Sequence, residues 1–470
     1  MKRGGNFSPM WRMLVAVAVL AIPLSATASP LTPQQTLAID TTVREWLAET
    51  DAPSVSIAVV ADGKLAYAQA YGNARLHPDR RATPQIRYPI FSATKEFTAA
   101  AILALQDEGK LSLDDKIAKY FPDLAGADKV SIRQLLNHTA GYREFWLEDF
   151  VSREKARPVA IRAILNKWAT QPLDFEPGTK WNYSNTNFVI AGAIVEKVSG
   201  EPYFAFLQKH IFAPLDMNDV VDDDGPRPDL NFAVGYTRYG EGPWLPAAKA
   251  GWGWEYAAGG LAMTPGDLAK WDISVINRSL LKRQAYDALY TPVKLKSGEN
   301  TKYSLGLGVY VTDGRLNLQH GGDGPGFSSE NMMWPAEKIA VIALTNNDWT
   351  HSINSLRSTL IPRVAYVVLP PTPAEARARA IFDGFQRGTL DRKLFSDDAN
   401  AFLTPSVLAD QKKALAPSGP PRAFTLQNET DQDGWKLRNW KIRTTNERLL
   451  VEEIDSPDGK VELFAVSKAY

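Results

Sequence analysis

The sequence predicts an α+β protein: an antiparallel sheet flanked by helices, with an inserted all-helical lobe, followed by a small C-terminal α+β domain. Three observations predict this. Apolar runs that read as paired strands stand near residues 55–71 and again at 306–345, which puts both ends of that segment in one sheet. The stretch between them is patterned mostly as helices broken by Gly and Pro, and so forms a second lobe. Beyond a knot of prolines, helices are followed by strands, the order of a separate α+β unit.

The N-terminus is set aside first. Lys2, Arg3 and Arg12 precede an apolar run from Met13 to Leu24, and Ala26-Thr27-Ala28 follows. Basic, apolar and small-residue regions in that order predict a secretory signal over residues 1–28. The alternative is an uncleaved anchor, but the run is shorter than the ~20 residues a spanning helix needs. No later run is long enough to cross a membrane. The expected location is therefore exported, in a bacterial periplasm or outside the cell.

Val55–Val60 and Leu65–Tyr71 flank Ala61-Asp62-Gly63-Lys64, and a central Asp-Gly predicts a tight hairpin. Residues 93–108 read as a helix, with Phe97, Ala100, Ala101 and Leu105 at helical spacing and Gly109 as its stop. Strands return at Gly306–Val311, Leu316–His320, Glu330–Trp334 and Ile339–Thr345, with a turn at Asp313-Gly314. A larger unit over 29–369 thus precedes a Pro-rich linker at 370–374 and a small unit over 375–470. In the latter, helices at 374–385 and 405–415 precede apolar runs at 424–426, 435–442, 449–454 and 461–466. Trp435, Trp440 and Phe464 are expected to pack its core.

Composition removes several functions. Basic and acidic residues both number 53, so no global positive field exists to hold a nucleic-acid backbone. Cysteine is absent, which excludes disulfides, thiolate metal sites and cysteine nucleophiles. The five histidines, at 77, 138, 210, 320 and 351, show no ligand spacing, and neither metal nor other cofactor is expected. The expected partner is a small-molecule or peptide-like substrate; oligomeric state is left open.

Any nucleophile is then an oxygen or nitrogen. Ser-x-x-Lys sets an amine one helical turn after a hydroxyl, close enough to take its proton when burial has lowered the amine's pKa. Three copies occur: Ser92 with Lys95, Ser152 with Lys155, and Ser279 with Lys282. The second lies in a charge run and the third beside Asn277 and Arg278, so both read as surface. Ser92 follows Tyr88-Pro89-Ile90-Phe91 and opens the Ala-rich helix, where an oxyanion is well stabilised. On local sequence alone, a Ser92 that caps that helix beside a snorkelling Lys95 is an equal reading.

Downstream motifs decide between these. Phe91-Ser92-Ala93-Thr94-Lys95, Leu135–Tyr142, Phe175-Glu176-Pro177-Gly178, Tyr183-Ser184-Asn185, Ala257–Leu261 and His320-Gly321-Gly322 occur in that order. Together they resemble the serine β-lactamase and penicillin-binding protein superfamily, in the branch with class C β-lactamases, esterases and D-amino-acid peptidases. The likeness spans roughly residues 40–360. It implies Ser92 as acylated nucleophile, Lys95 as its base and Tyr183 as proton relay. It also implies Asn185 as a substrate-orienting group and the amides of Ser92 and Asp323 as an oxyanion hole. His138 reads instead as buried packing.

The third motif departs from the usual Lys, then Thr or Ser, then Gly. His320-Gly321-Gly322 exchanges a fixed cation for a ring expected to titrate near ~6.5 and to face substrate, and it drops the hydroxyl, leaving β-lactam turnover in question. Gly251–Tyr256 offers either an aromatic wall to the acyl pocket or ordinary core packing. The sequence thus predicts a serine hydrolase acting through an acyl-enzyme on an ester, or on an amide beside a D-amino acid. The competing reading is a non-catalytic ligand-binding or scaffold protein on the same fold, which has no need of the full Ser92, Lys95, Tyr183 and Asn185 set.

Overall fold

The computed structural model describes Met1 and residues 31–470 except 148–149, 228–230, 313, 349–351 and 470. The signal-like segment and Asp313 of the expected turn lie outside the described residues.

Strands β1 (Ser54–Ala61) and β2 (Lys64–Arg75) form the expected hairpin. Asp62 and Gly63 turn it at φ 51° and 69°, the left-handed pair that a two-residue connection demands. With β3 (Arg80–Arg81), β4 (Gly308–Thr312), β5 (Arg315–Gly324), β6 (Phe327–Trp334) and β7 (Ile339–Thr345), they build a seven-stranded sheet in the order β3-β2-β1-β7-β6-β5-β4. The pairings between its strands are antiparallel, and β1 meets β7 from Val55 opposite Thr345 to Val60 opposite Ala340.

Both faces of the sheet's centre are covered, which is why β1 and β7 are nearly continuous apolar runs. Ala58, Val60, Ile342 and Leu344 join one core, and Ile57, Val59, Val341 and Ala343 the other. The second core is closed by α1 (Pro33–Thr50) and, late in the chain, Ile361–Val368. Thr32 starts α1 through a reciprocal capping box with Gln35, and Pro33 supplies its first helical residue. The first core joins the sheet to the inserted lobe. At its centre is α2 (Thr94–Asp107), buried at every position from Thr94 to Leu105. Such a helix has no solvated face, so its sequence carries Ala where neighbours come close. It packs against α3 (Asn185–Ser199) and α4 (Pro265–Asn277), with the rings of Phe97 and Trp271 centred 5.1 Å apart.

The C-terminal unit opens with α5 (Pro373–Arg387) and ends in a four-stranded antiparallel meander over residues 421–468. Trp440 and Phe464 are buried there as expected, whereas Trp435 at the first tight turn is 41% exposed. Glu49 of α1 joins this unit to the sheet domain by pairing with both Arg363 and Arg443. No helix among the described residues is long and apolar enough to cross a membrane.

Candidate active site

Ser92 sits in a tight 3-10 turn, Phe91–Ala93, between the short strand Tyr88–Pro89 and α2. Phe91 enters that turn at φ 43°, a region that costs a non-glycine residue of order 1 kcal/mol or more. Packing holds it there: a Cβ on Gly324 would lie 2.6 Å from the Phe91 ring, so β5 approaches the turn only because 324 is glycine. The Ser92 side chain caps nothing. Its Oγ lies 2.9 Å from Lys95 Nζ, and Lys95 is fully buried rather than snorkelling.

Lys95 Nζ has two further partners, Asn185 Oδ1 and the Ala258 carbonyl, each at 2.7 Å. Burial draws its ammonium down to about 7, against the nearby Glu144 carboxylate, which favours the charge. Glu144 also sets the Asn185 carboxamide. Its Oε1 takes a bond from Asn185 Nδ2 at 3.0 Å and its Oε2 one from the Asn185 backbone amide at 2.5 Å. A carboxylate only accepts, so the amide end of Asn185 faces Glu144 and the oxygen faces Lys95. Nothing in the Ser-x-x-Lys and Tyr-x-Asn spacing points to Glu144; its position soon after Ala140-Gly141-Tyr142 was the available signal.

Tyr183 lies across Lys95 with Nζ 4.9 Å from its ring centre, and its phenol shares a hydrogen bond with Ser92. Burial raises the phenol, an effect the Ser92 bond and Arg357 oppose. His138 is buried and packs, as expected, against a helix, with its ring 5.2 Å from that of Phe188 in α3. It follows the helix Ile132–Leu136 at φ 60°, and its ring lies 4.3 Å from that of Tyr183. Its Nδ1 accepts from the Ser184 amide at 3.2 Å. His138 therefore supports the Tyr183-Ser184-Asn185 corner, and burial keeps its ring neutral.

Residues 320–324 form the outer part of β5, paired with β6 on one side. The pairing with β4 ends at Gln319, so the other edge faces the Ser92 turn. Asp323 lies on the cavity there, with its carboxylate accepting from Ser328 at 2.5 Å. Gly322 backs onto Ile90, where a Cβ would come 1.9 Å from the carbonyl oxygen.

His320 differs from the sequence expectation. It is 7% exposed, its Nδ1 meets the Gly321 carbonyl at 2.7 Å and its Nε2 the Tyr303 hydroxyl at 2.9 Å. The carbonyl can only accept, so Nδ1 carries the proton and Nε2 accepts from Tyr303. Burial, together with the charges of Lys95 and Arg357, pushes the ring down to about 3. It is a neutral internal group, not the titrating donor expected. The cation at this end of the site is Arg357, paired with the buried Glu330 at 2.8 Å. That pair also explains the missing hydroxyl: a Cβ on Gly321 would lie 2.2 Å from Glu330 Oε2 and 2.9 Å from an Arg357 nitrogen.

The other two Ser-x-x-Lys runs are built differently. Lys155 is buried, contrary to expectation, but lies over the Trp146 ring at 5.2 Å, while Ser152 Oγ accepts from its backbone amide. Ser279 and Lys282 fall between helices, and the Lys282 amide bonds Asp107. A second Tyr-x-Asn run, Tyr71-Gly72-Asn73, lies within β2.

Ser92 and Asn185 open onto a cavity of about 90 Å³ walled by Phe145, Trp146 and Trp254. Trp254 therefore serves the pocket, whereas Trp252 is half exposed. Among the described residues no cluster of His, Asp and Glu could hold a metal ion.

This geometry has known counterparts. The family model described as Beta-lactamase matches residues 39–364. The chain belongs to that family. It is 25% identical over 409 residues to Penicillin-binding protein 4* of Bacillus subtilis, covering 82% of this chain and 90% of that one. A D-stereospecific amidohydrolase from Streptomyces superposes with a TM-score of 0.57 at 26% identity, covering 67% of this chain and 94% of that one. The octameric penicillin-binding protein homologue from Pyrococcus abyssi gives 0.60 at 22% identity, over 93% of this chain and 96% of that one. The likeness of fold thus reaches into the last hundred residues, beyond the span in which motifs were found. Members of this Beta-lactamase family are serine acyl hydrolases and penicillin-binding proteins.

Proposed function

We propose that the protein is a serine hydrolase that forms an acyl-enzyme at Ser92 and acts on an ester, or on an amide beside a D-amino acid. One observation carries this reading: Ser92 Oγ, Asn185 Oδ1 and the Ala258 carbonyl surround the amine of a fully buried Lys95, whose ammonium burial draws down to about 7. A neutral amine has two N–H bonds and one lone pair. Asn185 Oδ1 and the Ala258 carbonyl can only accept, so they take the two N–H bonds and the lone pair is left for the Ser92 hydroxyl proton.

In this mechanism Ser92 Oγ attacks the substrate carbonyl while its proton passes to Lys95. The carbonyl π pair moves onto oxygen, and the backbone amides of Ser92 and Asp323 stabilise that oxyanion. As the C–O or C–N bond breaks, Tyr183 hands the leaving group a proton and recovers one from Lys95. Water activated by the same pair then hydrolyses the acyl-Ser92 ester. Asn185, oriented by Glu144, holds Lys95 and the substrate in register. The D-amide class draws support from the Streptomyces amidohydrolase, and the absence of a hydroxyl at Gly321 argues against β-lactams as preferred substrates.

The same proposal divides the chain into a cleaved signal at 1–28, a hydrolase domain at 29–369, a linker at 370–374 and an accessory domain at 375–470, with export to the periplasm or beyond. The test is intact-mass analysis after exposure to an activated ester, a fluorophosphonate and a penicillin. A stoichiometric adduct from the first two, mapped to Ser92 and lost in Ser92→Ala but not in Ser152→Ala or Ser279→Ala, is expected. No adduct, or one elsewhere, refutes the reading.

A further inference from the structure

The cavity at Ser92 has a neighbour. Phe91, Glu255 and Pro325 line both it and a second cavity of about 140 Å³, whose other walls include Asp223, Arg227 and Lys249. Glu255 stands between the two at 7% exposure, and its Oε2 is buried with no hydrogen-bond partner. A buried carboxyl oxygen left without a partner costs about 1–3 kcal/mol, and nothing in the mechanism uses it.

The surrounding charges are already committed to one another. Arg227 Nε and Nη2 bond the Asp223 carboxylate at 2.7 and 3.2 Å, and Lys249 Nζ meets the Asp223 carbonyl and Oδ1 at 2.6 and 3.1 Å. Asp224 accepts from the backbone amides of Tyr256 and Glu255, and Asp222 from that of Asp224. Asp223 and Glu255 thus share this wall with Arg227 and Lys249, and both cations are bonded to Asp223, leaving Glu255 Oε2 without a donor.

Resting on the acyl-enzyme reading, we infer that Glu255 determines acyl specificity by receiving the ammonium group of a cationic acyl side chain. That group supplies what is missing here, a donor for the orphaned oxygen, in a charge-assisted hydrogen bond. In the empty site, burial and the neighbouring Asp224 and Asp223 hold the Glu255 carboxyl well above the usual carboxylate range. Seating the ammonium releases the carboxyl proton to solvent.

The test is calorimetric titration of the full chain carrying Ser92→Ala with D-lysinamide and with D-norleucinamide, which differ by an ammonium group against a hydrogen on the terminal carbon. D-Lysinamide is expected to bind at least about tenfold tighter, and adding Glu255→Gln should bring the two ligands to within about twofold. Equal affinity, tighter binding of D-norleucinamide, no binding of either, or a preference that survives Glu255→Gln overturns the inference. Equal affinity in the chain with Glu255 intact overturns the inference even if Glu255→Gln fails to fold, and Glu255→Asp, which keeps the charge one carbon shorter, then serves as the second variant and should weaken the preference. Because binding is read without turnover, failure of fluorophosphonate labelling at Ser92 counts separately, against the hydrolase reading alone.

Discussion

Glu144 decides which end of the Asn185 carboxamide meets Lys95. By taking both the backbone and side-chain N–H groups of Asn185, it leaves only the oxygen to face the amine. Glu144→Gln therefore has two expected effects. The carboxamide gains a donor, so Asn185 turns part of the time and kcat falls by roughly tenfold. The lost charge had favoured the Lys95 ammonium, so the acid limb of the kcat/KM profile moves to lower pH. Loss of activity without that movement would mean that Glu144 merely packs.

Lys95 itself sets the limb. Its base form is required, and burial brings the ammonium down to about 7. Activity on a neutral ester should climb with pH below that value and level off above it. Lys95→Arg keeps a cation that holds its proton, and kcat/KM should fall by about 10²–10⁴. A flat profile from pH 5 to 9, or an active arginine variant, contradicts the assignment.

His320 should be silent across the same range. Both of its ring nitrogens are engaged inside the protein and its ring is held down to about 3. The ratio of rates for an acidic and a neutral ester should then show no inflection near ~6.5. Imidazole nitrogen shifts followed by NMR from pH 5 to 8 should report a neutral Nδ1-protonated ring throughout.

Restoring the family's hydroxyl at Gly321 should harm the protein. Gly321→Thr drives a Cβ against Glu330 and Arg357, and the expected loss is about 1–3 kcal/mol of stability with no gain toward penicillins. Pairing that change with Glu330→Ala should recover part of the loss, as thermal melting of the single and double variants would measure.

The strands and the order of the motifs were legible because periodicity and turn chemistry are local. Asp62-Gly63 announces its hairpin, and the runs at 424–466 became strands where expected. Ser92, Lys95, Tyr183 and Asn185 were found as residue types at a spacing, and folding brings them together. What escaped were relations between distant segments. Glu144, Glu330 and Arg357 are ordinary charged residues in sequence, and each gains its role only when a neighbour buries it. The same is true of His320, whose character depends on Tyr303 across a turn, and of Lys155, which looked solvated among charged neighbours and is covered by Trp146.

The central strand β1 belongs beside β7, which the ribosome makes nearly the whole length of the inserted lobe later. During synthesis β1 has only β2 as a neighbour in the sheet, with one edge bare and the face toward the inserted lobe uncovered. Pairing over so long a separation is slow, and an unpaired apolar edge invites association with other chains. The seven-stranded sheet is therefore completed late, when its last strand arrives, and a chaperone that shields β1 until then would govern the yield of the whole molecule.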